Sequence, residues 1–317
     1  MTAWIETQSR PYDQDRDWWR IRNLLIDTYP ITPPGFNWEI RRWDGQRFHH
    51  ADLAANPAWR EWIRLWETRE GQLVGVAHPE GGPGEVFLEL HPDYRFLMDE
   101  MLEWAEGALG ELDSERSGRK LQHFAFDYDA PRHSVLMARG YQQKEWFGMM
   151  RRLRFGAWPI PKTDMPEGYR LRTTRPVEAD YAHVANLFNA AFNRTTHTAL
   201  EYRNFTTHSP SFRHDLDLVA EAPDGSLACL VGVTFEPLTR CGLFEPVCTH
   251  PDHQRHGLAR ALMTEGLRRM RALGALEAWV GTGDMQPANA LYDSMGFTEA
   301  YRGHYWLKQM DEAPDAP

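Results

Sequence analysis

The sequence predicts an α/β fold arranged as two tandem domains, each a mixed central sheet flanked by helices. In the second half, strand-like and helix-like runs alternate. Leu243, Phe244, Val247 and Cys248 read as a strand, and Leu258, Leu262, Met263, Leu267, Met270 and Leu273 recur at helical spacing. Ala278-Trp-Val-Gly281 then reads as the next strand. The first half repeats that order, with Glu85-Val-Phe-Leu-Glu-Leu90 before a helix-like run through Leu97, Met98, Met101 and Leu102. Between the halves, residues 156–168 carry three prolines and read as a connection. The expected division is a first domain at 1–155, a linker at 156–167 and a second domain at 168–310, which 317 residues comfortably allow.

The repeat is specific in its landmarks. His91-Pro92-Asp93 matches His250-Pro251-Asp252, an offset of 159. Leu97-Met98 matches Leu262-Met263, an offset of 165, so the first copy is six residues shorter in between. Pro131 to Gly140-Tyr141 aligns without gaps on Pro287 to Gly296-Phe297, which places Leu136 opposite Tyr292. The residues missing from the first copy are those that make the second chemically interesting.

That stretch is Thr249-His-Pro-Asp-His-Gln254-Arg255-His256-Gly257-Leu258-Ala259-Arg260. A strand that turns through glycine into a helix start presents free backbone N–H groups at the positive end of the helix dipole, a cradle for phosphate oxygens. Gly257 suits a backbone that a pyrophosphate must approach closely. In the first copy, Tyr94-Arg95-Phe96 offers no glycine and bulky rings instead.

Composition narrows the function. A hydrophobic content of 42% with 25% charged residues is that of a globular protein. The N-terminus lacks a charged-then-apolar leader and no apolar run reaches membrane-spanning length, so a cytoplasmic protein with no membrane partner is expected. A net charge of −10 argues against nucleic-acid binding through a basic surface. Three cysteines (Cys229, Cys241 and Cys248) and 14 histidines, His49-His50 among them, show no metal-ligand spacing, so no metal is expected and the thiols read as reduced and packed. Ten of the 13 tryptophans fall in the first half, and Trp59, Trp62 and Trp66 recur at helical spacing, as a packing face or, less simply, a cation-binding wall.

The pattern Gln254-x-x-Gly257-x-Ala259, followed by Ala288, Tyr292, Gly296 and Phe297, resembles the GNAT superfamily of acyl-CoA-dependent N-acetyltransferases over roughly residues 168–308. The resemblance implies a splayed strand pair in the second copy and acetyl-CoA as co-substrate. Arg255, His256, Gly257, Leu258, Ala259 and Arg260 would hold the pyrophosphate, and Val247, Cys248 and Thr249 would pair with the pantetheine arm. An N–H near Val247 would polarise the thioester carbonyl. Tyr292 matches the family's general acid; without the loop it reads equally as a core aromatic. Glu245, two residues before Val247 and so expected on the same strand face, is a candidate base or a binder of a cationic acceptor. Where the family often has Asn, this chain has Met285, and Asn289 is the nearby substitute for a cofactor contact.

The expected activity is transfer of an acetyl group to a primary amine of a small molecule or peptide, through a ternary complex, in a monomer or homodimer. The acceptor pocket is expected around Phe188–Thr207, with a contribution from the first half. A non-catalytic acyl-CoA-binding module, and acetyl transfer of the mycothiol-synthase kind to a cysteinyl or sugar-linked amine, remain as alternatives. The first copy, lacking both loop and phenol, is expected to bind no CoA.

Overall fold

The computed structural model describes residues 6–54, 56–114, 117–156, 159–160, 162 and 164–311. Trp4 and part of the expected linker, including Pro161, lie outside them. The elements run β1 (Thr7–Pro11), α1 (Gln14–Thr28), α2 (Ile40–Phe48), α3 (Trp59–Trp62), β2 (Arg64–Thr68), β3 (Leu73–His78), β4 (Glu85–Leu90), α4 (Met98–Ala108), β5 (Glu111–Leu112), β6 (Arg119–Phe126), α5 (Ala130–Ala138) and β7 (Gln142–Arg154). They continue as β8 (Arg170–Thr173), α6 (Glu178–Phe192), α7 (Ala199–His208), β9 (Asp217–Glu221), β10 (Leu227–Glu236), β11 (Cys241–Thr249), α8 (Leu258–Ala272), β12 (Glu277–Thr282), α9 (Gln286–Ser294) and β13 (Glu299–Met310).

The chain forms two compact units. The first takes the described residues within Met1–Ile40, Ala55–Met149 and Tyr301–Pro317, and the second those within Arg41–Ala54 and Met150–Ala300. In the first, the strand order is β1-β2-β3-β4-β6-β13, with β4 and β6 parallel and the other neighbours antiparallel. Its core joins Leu97, Met98, Met101 and Leu102 of one flank to Val86, Leu88, Leu90 and Leu121 of the sheet. Trp66 departs from the helical spacing read in the sequence. Trp59 and Trp62 bound the one-turn α3, whereas Trp66 is a buried residue of β2.

The second unit has the order β12-β11-β10-β9-β8, with β11 and β12 parallel and the rest antiparallel. Helix α8 buries Leu258, Leu262, Met263, Leu267 and Met270 on one face of this sheet. On the other face, Tyr181, Val184, Leu187 and Phe188 of α6 and Tyr202 of α7 pack against Val219, Leu230 and Cys248. Both faces of the sheet are covered, as the nearly unbroken apolar run of β10 requires.

The duplication is visible bond by bond. His91 and His250 each accept from a backbone N–H two residues on, Asp93 at 3.3 Å and Asp252 at 3.2 Å. Each also donates its own N–H, at 2.9 Å, to a neighbouring carbonyl, Val74 or Ala228. At the far end, Tyr141 N–H donates to Leu136 and Phe297 N–H to Tyr292, both at 3.0 Å. The gapless alignment of Leu136 with Tyr292 is therefore structural as well as sequential.

Candidate active site

The parallel ladder between β11 and β12 runs from Cys241 opposite Glu277 to Phe244 opposite Val280, and β11 then continues to Thr249 without it. The strands splay at Glu245, next to a bulge. Val231 pairs with Val247 and Val233 with Phe244, so Gly232 alone opposes Glu245 and Pro246. A Cβ on Gly232 would lie 2.5 Å from the Glu245 carbonyl oxygen, so only glycine permits this approach.

The bulge changes which residues share a face. Alternation expects Glu245 beside Val247. Instead Phe244 and Val247 both face the α8 core, while Glu245 and Pro246 line a pocket on the α6–α7 side. One extra residue shifts the period, and the carboxylate is aimed away from Val247's side. Val247, Cys248 and Thr249 remain paired with β10 through Val231, Leu230 and Cys229. Cys248 is buried among aliphatic and aromatic residues, and burial pushes its thiol well above the ordinary range. It packs, as the sequence implied.

Beyond Thr249, Arg255 takes φ +63° and Gly257 φ +80°, two left-handed residues that swing the chain onto α8. Gly257 is the N-cap and has no side chain to bind the first turn, so the N–H groups of Leu258 and Ala259 are left to an outside acceptor. A Cβ at Gly257 would meet nothing within 4 Å, so the loop is open there. Arg260 donates to Ser294 Oγ at 2.5 Å, and the His256 ring lies 5.9 Å from that of Tyr169. These features fit a phosphate ligand.

In the first unit the corresponding region is closed. A short 3₁₀ turn over Pro92–Leu97 runs directly into α4, and no residue between His91 and Met98 has positive φ. The ladder between β4 and β6 covers only Glu85 and Val86. Past it, the Asn37 side chain binds both backbone groups of Leu90, at 2.8 and 2.9 Å, and Glu89 accepts from Trp38 N–H. Tyr128 donates to the carbonyl of Pro34. The segment around Asn37 fills the edge that its counterpart β11 leaves without a ladder.

Tyr292 is 5% exposed in the α8-side core, with its ring 6.2 Å from Phe297. Burial pushes its phenol up to about 12, partly offset by the Arg151 charge. Arg151 is held by the carbonyl of Asn289 at 3.0 Å and by Asp293 at 2.7 Å. Asn289 spends its amide donors on the carbonyls of Gly283 and Met285, while its Oδ1 is buried without a partner. Among the described residues, no cluster of three His, Cys, Asp or Glu could hold a metal.

The pocket beside Glu245 is a small cavity of about 20 Å³, partly open to solvent. Phe188, Tyr202 and Phe205 come from the region expected to shape an acceptor site. Arg41 and His49, from the first half of the sequence, and Asp217 were not singled out for it. The His49 ring packs edge-on against Phe188 and tilted against His197 and Phe205, and burial lowers its imidazole to about 3, so it is neutral. Tyr202 and Thr174 both donate to Asp217 Oδ2. No local pattern marks Arg41 or His49, because they join this unit by tertiary contact alone.

Residues 182–297 match the Acetyltransferase (GNAT) family, wholly within the second half. The mycothiol acetyltransferase of Kineococcus radiotolerans is 32% identical over 251 residues, 74% of this chain and 78% of that protein. The mycothiol acetyltransferase of Streptomyces coelicolor is 29% identical over 238 residues, covering 72% and 73%. Among solved structures, a tandem GNAT protein from the clavulanic acid biosynthesis pathway superposes with a TM-score of 0.66 at 18% identity, over 98% of this chain and 100% of that one. A GCN5-related N-acetyltransferase from Sphaerobacter thermophilus gives 0.62 at 19%, over 98% of each. The structural likenesses extend the tandem fold along the chain, and the relative at 32% identity fixes its membership: this chain belongs to the GNAT acetyltransferase family and is an acyltransferase.

Proposed function

We propose that the second unit transfers an acetyl group from acetyl-CoA to a primary amine, and that it is the single catalytic centre of the chain. The observation that carries the reading is the splay of β11 from β12 at Glu245, leading to the left-handed Gly257 at the start of α8. The edge of β11 from Val247 to Thr249 would receive the pantetheine arm as a neighbouring strand would. The turn from Arg255 to Arg260 would receive the pyrophosphate. Asn289 contributes mainly to the shape of the loop, since its donors are already engaged.

In the reaction, the amine nitrogen attacks the acetyl carbonyl carbon, the carbon–sulfur bond breaks and its electron pair leaves on sulfur. Glu245, beside the pocket, takes the ammonium proton directly or through water. Tyr292 stays protonated because burial disfavours the phenolate; it donates a proton to the departing thiolate and regains one from the nitrogen, which loses its second proton as the amide forms. The first unit supplies neither element. Asn37 occupies its strand edge and Leu136 stands where Tyr292 does.

A mycothiol-related amine is the second reading of the acceptor, supported by the likeness to mycothiol acetyltransferases at 29% and 32% identity. The test is thiol release from acetyl-CoA against amines, amino acids, polyamines, aminoglycosides and a cysteinyl glucosaminide. Amine-dependent release in wild type, lost in Gly257→Glu, supports transfer. Tight acetyl-CoA binding without release for any amine would favour a binding module instead.

A further inference from the structure

The turn that leads into α8 holds a shape its own chain does not favour. Arg255 and Gly257 both take left-handed φ, +63° and +80°, and that conformation is unfavourable for a residue with a side chain such as Arg255. Gln254, Arg255, His256 and Gly257 are all exposed, so packing does not fix them. Local support is slight: Gln254 N–H reaches the Pro251 carbonyl only at 3.4 Å. Such backbone persists where its surroundings hold it in place. The Tyr169 side chain supplies that hold. Its hydroxyl and His253 Nδ1 share a hydrogen bond of 2.9 Å. Its ring meets the His253 ring edge-on at 5.7 Å and the His256 ring, tilted, at 5.9 Å. Among the described residues, no other side chain from outside 250–257 hydrogen-bonds to residues 251–257.

Tyr169 is itself anchored. Its ring packs against the core that contains Leu258, the first residue of α8, and its N–H donates to the Pro166 carbonyl at 3.1 Å. It precedes residues 182–297, which match the family, so the family's own pattern does not include it. We propose that Tyr169 is a positioning residue for the cofactor: through His253 it holds the turn from Arg255 to Gly257 in the shape that receives the acetyl-CoA pyrophosphate. A turn that keeps this shape only part of the time binds more weakly by that fraction. Tyr169 touches no reacting atom, so it acts on cofactor affinity and not on the chemical step. The proposal rests on the reading of that turn as the phosphate site and adds a residue to it.

Calorimetric titration of acetyl-CoA into the full chain tests it without requiring turnover. Tyr169→Phe keeps the ring and removes only the hydrogen bond, and should weaken binding about three- to tenfold, the range of one neutral hydrogen bond. His253→Ala should weaken it at least as much. Adding Tyr169→Phe to His253→Ala should then change affinity by less than about twofold, because the two residues act as one unit. With an amine that releases thiol, Tyr169→Phe should raise KM for acetyl-CoA by the same factor and leave kcat within about twofold, a split that general loosening of the fold would not give. Wild-type affinity in Tyr169→Phe, a loss that persists undiminished in the His253→Ala background, or a fall in kcat at unchanged KM would overturn the proposal. Gly257→Glu distinguishes the failures. If it abolishes binding while Tyr169→Phe binds as wild type does, the positioning role alone fails. If folded Gly257→Glu keeps wild-type affinity, the phosphate-turn reading fails. Tyr169-dependent binding with no thiol release from any amine sinks the transferase reading alone.

Discussion

Gly257 combines a φ of +80° with open space at its Cβ position, so two substitutions separate backbone strain from ligand exclusion. Gly257→Ala should cost about 1–2 kcal/mol through the left-handed backbone alone. Gly257→Glu should cost a similar amount of stability yet abolish acetyl-CoA binding, because a carboxylate would stand where phosphate must approach. Chemical denaturation and calorimetry check both, and near-equal affinities in the two variants would remove Gly257 from the phosphate site. Tyr292→Phe should lower kcat by about 10²-fold or more, the scale of a positioned acid, and leave acetyl-CoA affinity nearly unchanged. Unchanged turnover with a good acceptor would leave Tyr292 as a packing residue of the core. Gly257 and Tyr292 were legible because each belongs to a short pattern with a mechanical reason. Arg41 and His49 were not, since a helix from the first half brings them to the pocket and nothing adjacent in the chain signals it.

At the scale of elements, the bulge of β11 decides where the candidate base points. Gly232→Ala would place a methyl group 2.5 Å from the Glu245 carbonyl oxygen, which backbone can relieve only by moving. The expected cost is about 1–3 kcal/mol of stability, typical of overpacking. A fall in kcat/KM larger than that of Gly257→Ala at saturating acetyl-CoA should accompany it. Urea unfolding and steady-state kinetics check this, and a variant with wild-type kinetics would show that the bulge does not position Glu245. The order of strands and helices was readable from period 2 and period 3.6. The face of Glu245 was not, because strict alternation has no place for an extra residue. Gly232 in a strand and Pro246 beside Glu245 were the available signals. Trp66 misled for a different reason: residues 59, 62 and 66 fit a helix by spacing alone, but the chain turns to strand at Arg64.

Across the whole molecule, buried neutral imidazoles set a pH limit on stability. His123, 1% exposed, is lowered to about 3 by burial and by the Arg132 charge, and His49 is shifted in the same direction. The unfolded chain takes up these protons near pH 6.5 while the folded one resists, so stability is present above that pH and is lost as pH falls toward 3. Each such proton contributes a slope of about 1.4 kcal/mol per pH unit within the window. Urea unfolding should show a lower free energy at pH 5 than at pH 7, and a flat profile would mean that these rings are accessible to protons in the folded state. The duplicated plan was legible from His-Pro-Asp and Pro-to-Gly landmarks. The filling of the first unit's strand edge by Asn37 was not, because residue 37 is 53 positions from its partner Leu90. The central claim, a single acyl-CoA site formed by the splayed strand and the Gly257 turn, is tested most directly by calorimetric titration of acetyl-CoA. Wild type should bind one equivalent per chain and folded Gly257→Glu none, whereas two equivalents per chain, or undiminished binding in the variant, would contradict it.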